Sequence, residues 1–211
     1  LIYMVQTGDI PSSVALQQAR MEISRMAQMA QSCMQDAITS FFDRDLELAG
    51  HARDAEDAID VLTDKIQARL IALRSMDYPP KVIQQISQMI LVASDIERLS
   101  DHGRNIALYT EECKNRKASI SKKGIKDLKK LAEASLKAVE AGFGIFERQE
   151  YQRLPEATQL QQEVEALQAS VVNSHVERLM KGTCEPFGGV IFTKMASDLD
   201  RCSDHAINVA E

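Results

Sequence analysis

Residues 94–107 read SDIERLSDHGRNIA, and residues 197–210 read SDLDRCSDHAINVA. At a shift of 103, eight of these fourteen positions are identical. An internal repeat of this kind settles the architecture before any single residue does, because each copy must form the same supersecondary unit. Within and just ahead of the first stretch, Met89, Val92, Ile96, Leu99, Gly103 and Ile106 recur at steps of 3, 4, 3, 4, 3, the seam of a helix packed on other helices. The second copy keeps that seam as Phe192, Met195, Leu199, Cys202, Ala206 and Val209. Cys202 replaces Leu99 there, so it reads as a core thiol.

Upstream, the repeat continues at a shift of 105. Ile23 falls on Leu128, Met26 on Leu131, Cys33 on Ala138, Phe41 on Phe146, Asp45 on Glu150, Ile59 on Val164 and Leu62 on Leu167. Leu16, Ala19, Ile23, Met26, Ala30, Cys33 and Ala37 form the stripe of a first helix, with Ser12 as its expected N-cap. A second helix buries Ala55, Ile59, Leu62, Ile66, Leu70 and Leu73, and the prolines of DYPP (77–80) end it. Each helix spans about 25 to 33 residues, roughly 40 to 50 Å at about 1.5 Å per residue. The expected fold is all-α: two tandem antiparallel three-helix bundles, six helices in all, related by duplication. The first repeat is placed at 12–113 and the second at 114–211, with 1–11 as a linker from an upstream segment.

Composition agrees. Trp is absent, Gly and Pro are scarce, and good helix formers are abundant. The net charge of −6 repels a phosphate backbone, so a nucleic-acid partner is not expected. Cys33, Cys113, Cys184 and Cys202 are too widely spaced for a zinc site and read as reduced thiols. No uncharged apolar run reaches membrane-spanning length. The apolar start LIYMV, in place of an initiator Met, suggests a segment of a longer protein. Ile2, Tyr3 and Met4 would either pair across a homodimer or continue from a membrane connection.

With Ile96 and Leu99 in the seam, Glu97 and Asp101 fall on the other side of the third helix one turn apart, and Asn105 is read as continuing their row. Asp200, Asp204 and Asn208 repeat the arrangement, with His102 and His205 next to the respective aspartates. On the second helix Glu56, Asp60 and Asp64 form a row that can face Glu97 and Asp101 across a groove and complete a carboxylate cluster. Its second copy is poorer: Gln161, Glu165 and Ala169. Hard oxygen ligands one turn apart suit a divalent metal, which relieves their mutual repulsion. The alternative is a solvated charged face, or pairing of these acids with Arg98 and Arg201. His51 and His175 have no ligand partners at recognisable spacing and read as surface or core residues. The basic stretch 114–130 carries eight Lys or Arg and is expected mainly to connect the bundles, the alternative being contact with an anionic membrane surface or an acidic partner. No Gly-rich phosphate loop, nucleophile elbow or triad is present, so an enzyme is not expected.

The two quoted stretches resemble the E(D)xxxD third-helix motif of the PhoU family, and the twofold, six-helix plan is similar too. That resemblance runs from about Ser12 to Glu211. It implies that Glu97, Asp101, Asp200 and Asp204 are ligands of iron or another divalent metal cluster; the facing second-helix row adds Glu56, Asp60 and, in the second copy, Glu165 as candidate metal ligands. It further implies regulation of phosphate uptake, through contact with a phosphate ABC transporter and its sensor kinase. The third helix has KVIQQISQM (81–89) where free-standing regulators carry a DLR element. This looks more like the PhoU-like domain of bacterial Na+/phosphate cotransporter-related proteins. The resulting expectation is a regulatory domain on the cytoplasmic side of the inner membrane, partnered by the membrane part of the same or another chain. The alternative is a free-standing negative regulator.

Overall fold

The 3–4 spacing closes into helices in every place where it was read. The structure, a computed structural model, describes residues 10–211, so most of the expected linker lies outside the described residues. Its elements are α1 (Ser12–Asp43), α2 (Leu46–Arg74), α3 (Pro80–Asn115), α4 (Lys122–Arg148), α5 (Leu154–Met180) and α6 (Pro186–Ala210), with a 3-10 turn at Tyr151–Arg153. Six helices in two three-helix repeats make the fold all-α.

Local chemistry sets the helix ends. After α1 the chain turns through Arg44 at φ 54°, and Asp45 then accepts a hydrogen bond from Leu48 N to cap α2. The second copy repeats the left-handed turn at Gln149, φ 56°. Glu185 caps α6 with both carboxylate oxygens, on Phe187 N and Gly188 N. At the start of α1 the expected Ser12 cap is replaced by Pro11: its carbonyl accepts from Val14 N and Ala15 N, so Ser12 is already the first helical residue. Proline's fixed φ presets that entry without a side-chain cap.

Within each repeat the three helices pack on one another, and the repeats then join through α3 against α6 and α1 against α4. The two bundles therefore share one continuous core, in which Ile23, Met26, Ile96 and Leu99 meet Leu128, Met195 and Leu199, all fully buried. Each such side chain contributes about 1.5–3 kcal/mol of apolar burial. Cys33 and Cys202 lie in this core; burial pushes the Cys33 thiol up to about 12 and raises that of Cys202 as well, so both stay protonated.

Gly142 marks a close approach of α4 to α6. A Cβ there would lie 2.3 Å from the Ala206 carbonyl oxygen, a backbone atom that cannot swing aside. Gly142→Ala is expected to cost about 1–3 kcal/mol in urea unfolding; an unchanged midpoint would show that the helices separate freely.

Candidate functional site

The α2 and α3 rows do face each other. One carboxylate oxygen each from Glu56, Asp60 and Asp101 lies within 4.8 Å of the others. Glu97 stands against Asp60 in the same groove. Glu56 is only 2% exposed, whereas Asp101 opens to solvent. Helical pitch explains the gathering: four residues advance slightly more than one turn, so each helix offers a carboxylate pair on one edge.

One cation answers these acids. Arg104 Nη1 donates to Glu56 Oε2 at 2.8 Å and to Asp57 Oδ1 at 3.2 Å. Arg98 and Arg201, the partners of the alternative reading, are exposed and form no ion pair among the described residues. The remaining charge is uncompensated. Burial first, then repulsion from Glu56, pushes the Asp60 carboxyl up to about 6. Asp101 also rises to about 6, through burial and its contact with Glu56, and Glu97 rises through burial and Asp60. Asp60 Oδ1 is buried without a hydrogen-bond partner.

A carboxyl whose folded pKa is raised holds its proton more tightly when folded. Between about pH 4 and 6 the folded chain keeps a proton on Asp60 that the unfolded chain releases, so stability falls as pH rises through that window. Metal-free protein should therefore melt higher at pH 5 than at pH 7.5, and Asp60→Asn should shrink that difference. At pH 7.5 the variant should gain about 1 kcal/mol, about 2–4 °C for a chain of this size. A lower melting temperature for Asp60→Asn would show that the acids do not repel.

The second copy is a weaker relative. Asp200, Asp204 and Glu165 are close enough to raise the Asp200 carboxyl, after burial, and Asp200 Oδ1 is likewise buried without a partner. Gln161 stands where Glu56 does and donates to Asp204 Oδ1 at 2.9 Å. Ile207 stands where Arg104 does. The buried acid and its counter-ion have thus been neutralised together.

Asn105 and Asn208 leave the expected row. Eight residues turn a helix through about two revolutions and 80°, which carries Asn105 round from Glu97 to the α6 side. There, between the repeats, lies a cluster that sequence reasoning missed. His102 Nδ1 is 2.6 Å from Asp198 Oδ1, Asn105 Nδ2 donates to the same oxygen at 3.2 Å, and the Tyr109 hydroxyl donates to Asp198 Oδ2 at 2.5 Å. Reciprocally, His205 Nδ1 is 2.9 Å from Asp95 Oδ1, and Asn208 Nδ2 donates to it at 3.1 Å. The two imidazoles stack at 5.4 Å between centroids. Asp95, His102 and Asn105 with their copies occupy three of the eight positions at which the two quoted stretches are identical. Their identity was the available signal, and it reports the seam between repeats as much as any ligand set. His51 is exposed, while His175 is buried and stacked on Phe192 at 4.5 Å.

The PhoU domain profile matches residues 23–110 and again 128–211, one match per repeat. The chain belongs to the PhoU family. The phosphate-specific transport system accessory protein PhoU homolog 1 of Thermotoga maritima is 24% identical over 196 residues, spanning 90% of this chain and 82% of that protein. The crystal structure of PhoU from Pseudomonas aeruginosa matches with a TM-score of 0.89 at 18% identity over 95% of both chains. The phosphate transport system regulatory protein PhoU from Streptococcus pneumoniae matches with a TM-score of 0.84 at 16% identity, over 95% of this chain and 94% of that one. These likenesses establish the PhoU fold, and the relatives named here are an accessory protein and a regulatory protein of phosphate transport systems. Among the described residues no helix is long and apolar enough to cross a membrane.

Proposed function

We propose that this protein is a PhoU-type regulator of phosphate transport that acts by contact with a phosphate transport system and carries a metal on its α2–α3 groove. It is not an enzyme; its relatives are accessory and regulatory proteins. The observation that carries the reading is the match of both repeats to the PhoU domain, together with relatives named for a phosphate-specific transport system. Those relatives favour the accessory-protein reading over that of a cotransporter's regulatory domain. A sensor kinase is the second expected partner, and the cytoplasmic face of the membrane the expected place of work. The repeat division read at 113 and 114 falls within the last turn of α3, which ends at Asn115, and the connection to α4 runs from 116 to 121.

The metal reading is supported by the donor set. Glu56, Asp60 and Asp101 offer hard oxygens close together, Glu97 adds a fourth, and the partnerless Asp60 Oδ1 awaits a positive partner. Asp200, Asp204 and Glu165, with one neutral replacement, form a lower-affinity second site. Iron or another divalent ion there would neutralise the acids and tie α2 to α3. The protein's own part is to hold these carboxylates in place, with Arg104 anchoring Glu56.

Deletion of the gene should change inorganic-phosphate uptake under phosphate-replete growth. The wild-type gene should restore it, and a Glu97→Ala, Asp101→Ala version should restore it only in part. Uptake indifferent to the deletion would sink the regulatory reading; full rescue by the variant would sink the metal's part in it.

A further inference from the structure

Residues 114–130 carry eight cations and one acid, Asp127, on a chain whose net charge is −6. The surplus of seven positive charges here leaves a surplus of thirteen negative charges on the rest. All eight cations are exposed, and none forms an ion pair among the described residues. Three nearby acids are engaged elsewhere, Asp127 with Arg178 at 3.5 Å, Glu111 with Arg53 at 3.0 Å and Glu185 at the start of α6, and Glu112 alone does not offset eight cations.

The charge is held against local preference. Lys122 and Lys123 occupy the first turn of α4, where the helix dipole disfavours cations and no acid offsets them. Lys122, Lys126 and Lys130 repel one another along one face at i, i+4 spacing. Lys117 takes a left-handed conformation, φ 51°, at the helix exit where glycine is the usual residue. Arg116 lies over the Phe187 ring at 4.6 Å, but the fold does not require the five lysines of α4. In the first repeat, the positions matching Lys122, Lys123, Lys126, Lys129 and Lys130 are Gln17, Gln18, Met21, Ser24 and Arg25, on a helix that packs in the same way. The duplication thus supplies an internal control in which the stripe is almost absent.

We propose that the α3–α4 turn and the first half of α4 form an electrostatic docking surface for an anionic lipid bilayer. Seven of the eight cations are lysines, point charges without the forked geometry of a specific carboxylate clamp. No large apolar side chain within residues 114–130 is exposed; the exposed Leu179 and Met180 follow Arg178, the partner of Asp127, at the edge of the patch. A headgroup layer needs only the charge, and each lysine near it adds attraction. The acidic remainder of the molecule is repelled by the same surface, which orients this end toward it. The proposal stands on charge placement alone, so its failure would leave the phosphate-regulation reading untouched.

The test is co-sedimentation of the full chain with vesicles of phosphatidylcholine alone or mixed with phosphatidylglycerol, at low and high salt. Binding is expected only to the anionic vesicles, falling steeply with salt. A variant with Lys122, Lys123, Lys126, Lys129 and Lys130 each changed to Gln should bind at least about tenfold more weakly, while circular dichroism shows equal helicity. Equal sedimentation with neutral vesicles, no loss in the variant, or no wild-type binding overturns the proposal. So does absence of vesicle binding alongside salt-sensitive binding to polyglutamate, which would assign the patch to an acidic protein.

Discussion

Changing Asp60 and Asp101 together to alanine is expected to lower metal affinity at the α2–α3 groove by more than about 100-fold. Losing a residue that merely orients a ligand typically costs 10–100-fold, and here two direct oxygen donors go at once. Glu56 remains, but Arg104 already claims one of its oxygens at 2.8 Å. Glu97 alone cannot hold a hard cation against water. The matched change at Asp200 and Asp204 should cost less, because Gln161 has already replaced a carboxylate in that groove. Elemental analysis and titration with iron(II), manganese(II) and zinc(II), on protein purified without chelator, measure both. Equal metal content in wild type and the Asp60, Asp101 variant would return these acids to the status of a charged surface. The apo variant should be no less stable than wild type, since it relieves repulsion; that separates ligand loss from unfolding.

Asp198→Ala should be the most destabilising single change at the seam between repeats. It strips the acceptor from His102, Asn105 and the buried Tyr109 hydroxyl in one step. Asp198 is 6% exposed, so water cannot replace it fully. Truncating one member of such a buried network costs about 3–5 kcal/mol, roughly 10 °C or more in melting temperature here. Asp95→Ala removes a two-donor arrangement whose acceptor side chain is 20% exposed, and should cost about 1–2 kcal/mol. Urea unfolding distinguishes the pair; equal losses at the two positions would show that Tyr109 adds nothing to the seam.

The helices were legible because their signal is periodic and local: Met89 through Ile106 and Phe192 through Val209 need no tertiary information to place their buried edge. The groove acids were legible for the same reason, since Glu56, Asp60, Glu97 and Asp101 each sit one turn from a like neighbour. What spacing could not give was which helix faces which. Arg104 reaches Glu56 across 48 positions, and the choice of Arg104 over Arg98 depends on how α3 is rotated against α2. The i, i+4, i+8 spacing of Glu97, Asp101 and Asn105 is a line only in one dimension, and the helix's drift of about 80° moves Asn105 to another neighbour. Tyr109 lies just beyond the duplicated stretch, so nothing in the repeat pointed to it.

The cross-pairing of Asp95 with His205 and Asn208, and of Asp198 with His102 and Asn105, means that each copy's hydrogen-bond partners lie in the other copy. A substitution in one half is therefore answered about a hundred residues away rather than within its own half. Lineages should show paired change across the seam and independent drift on the outer grooves, as Gln161 and Ile207 already illustrate. Put another way, this single chain retains the bookkeeping of a symmetric dimer whose two subunits have been joined end to end.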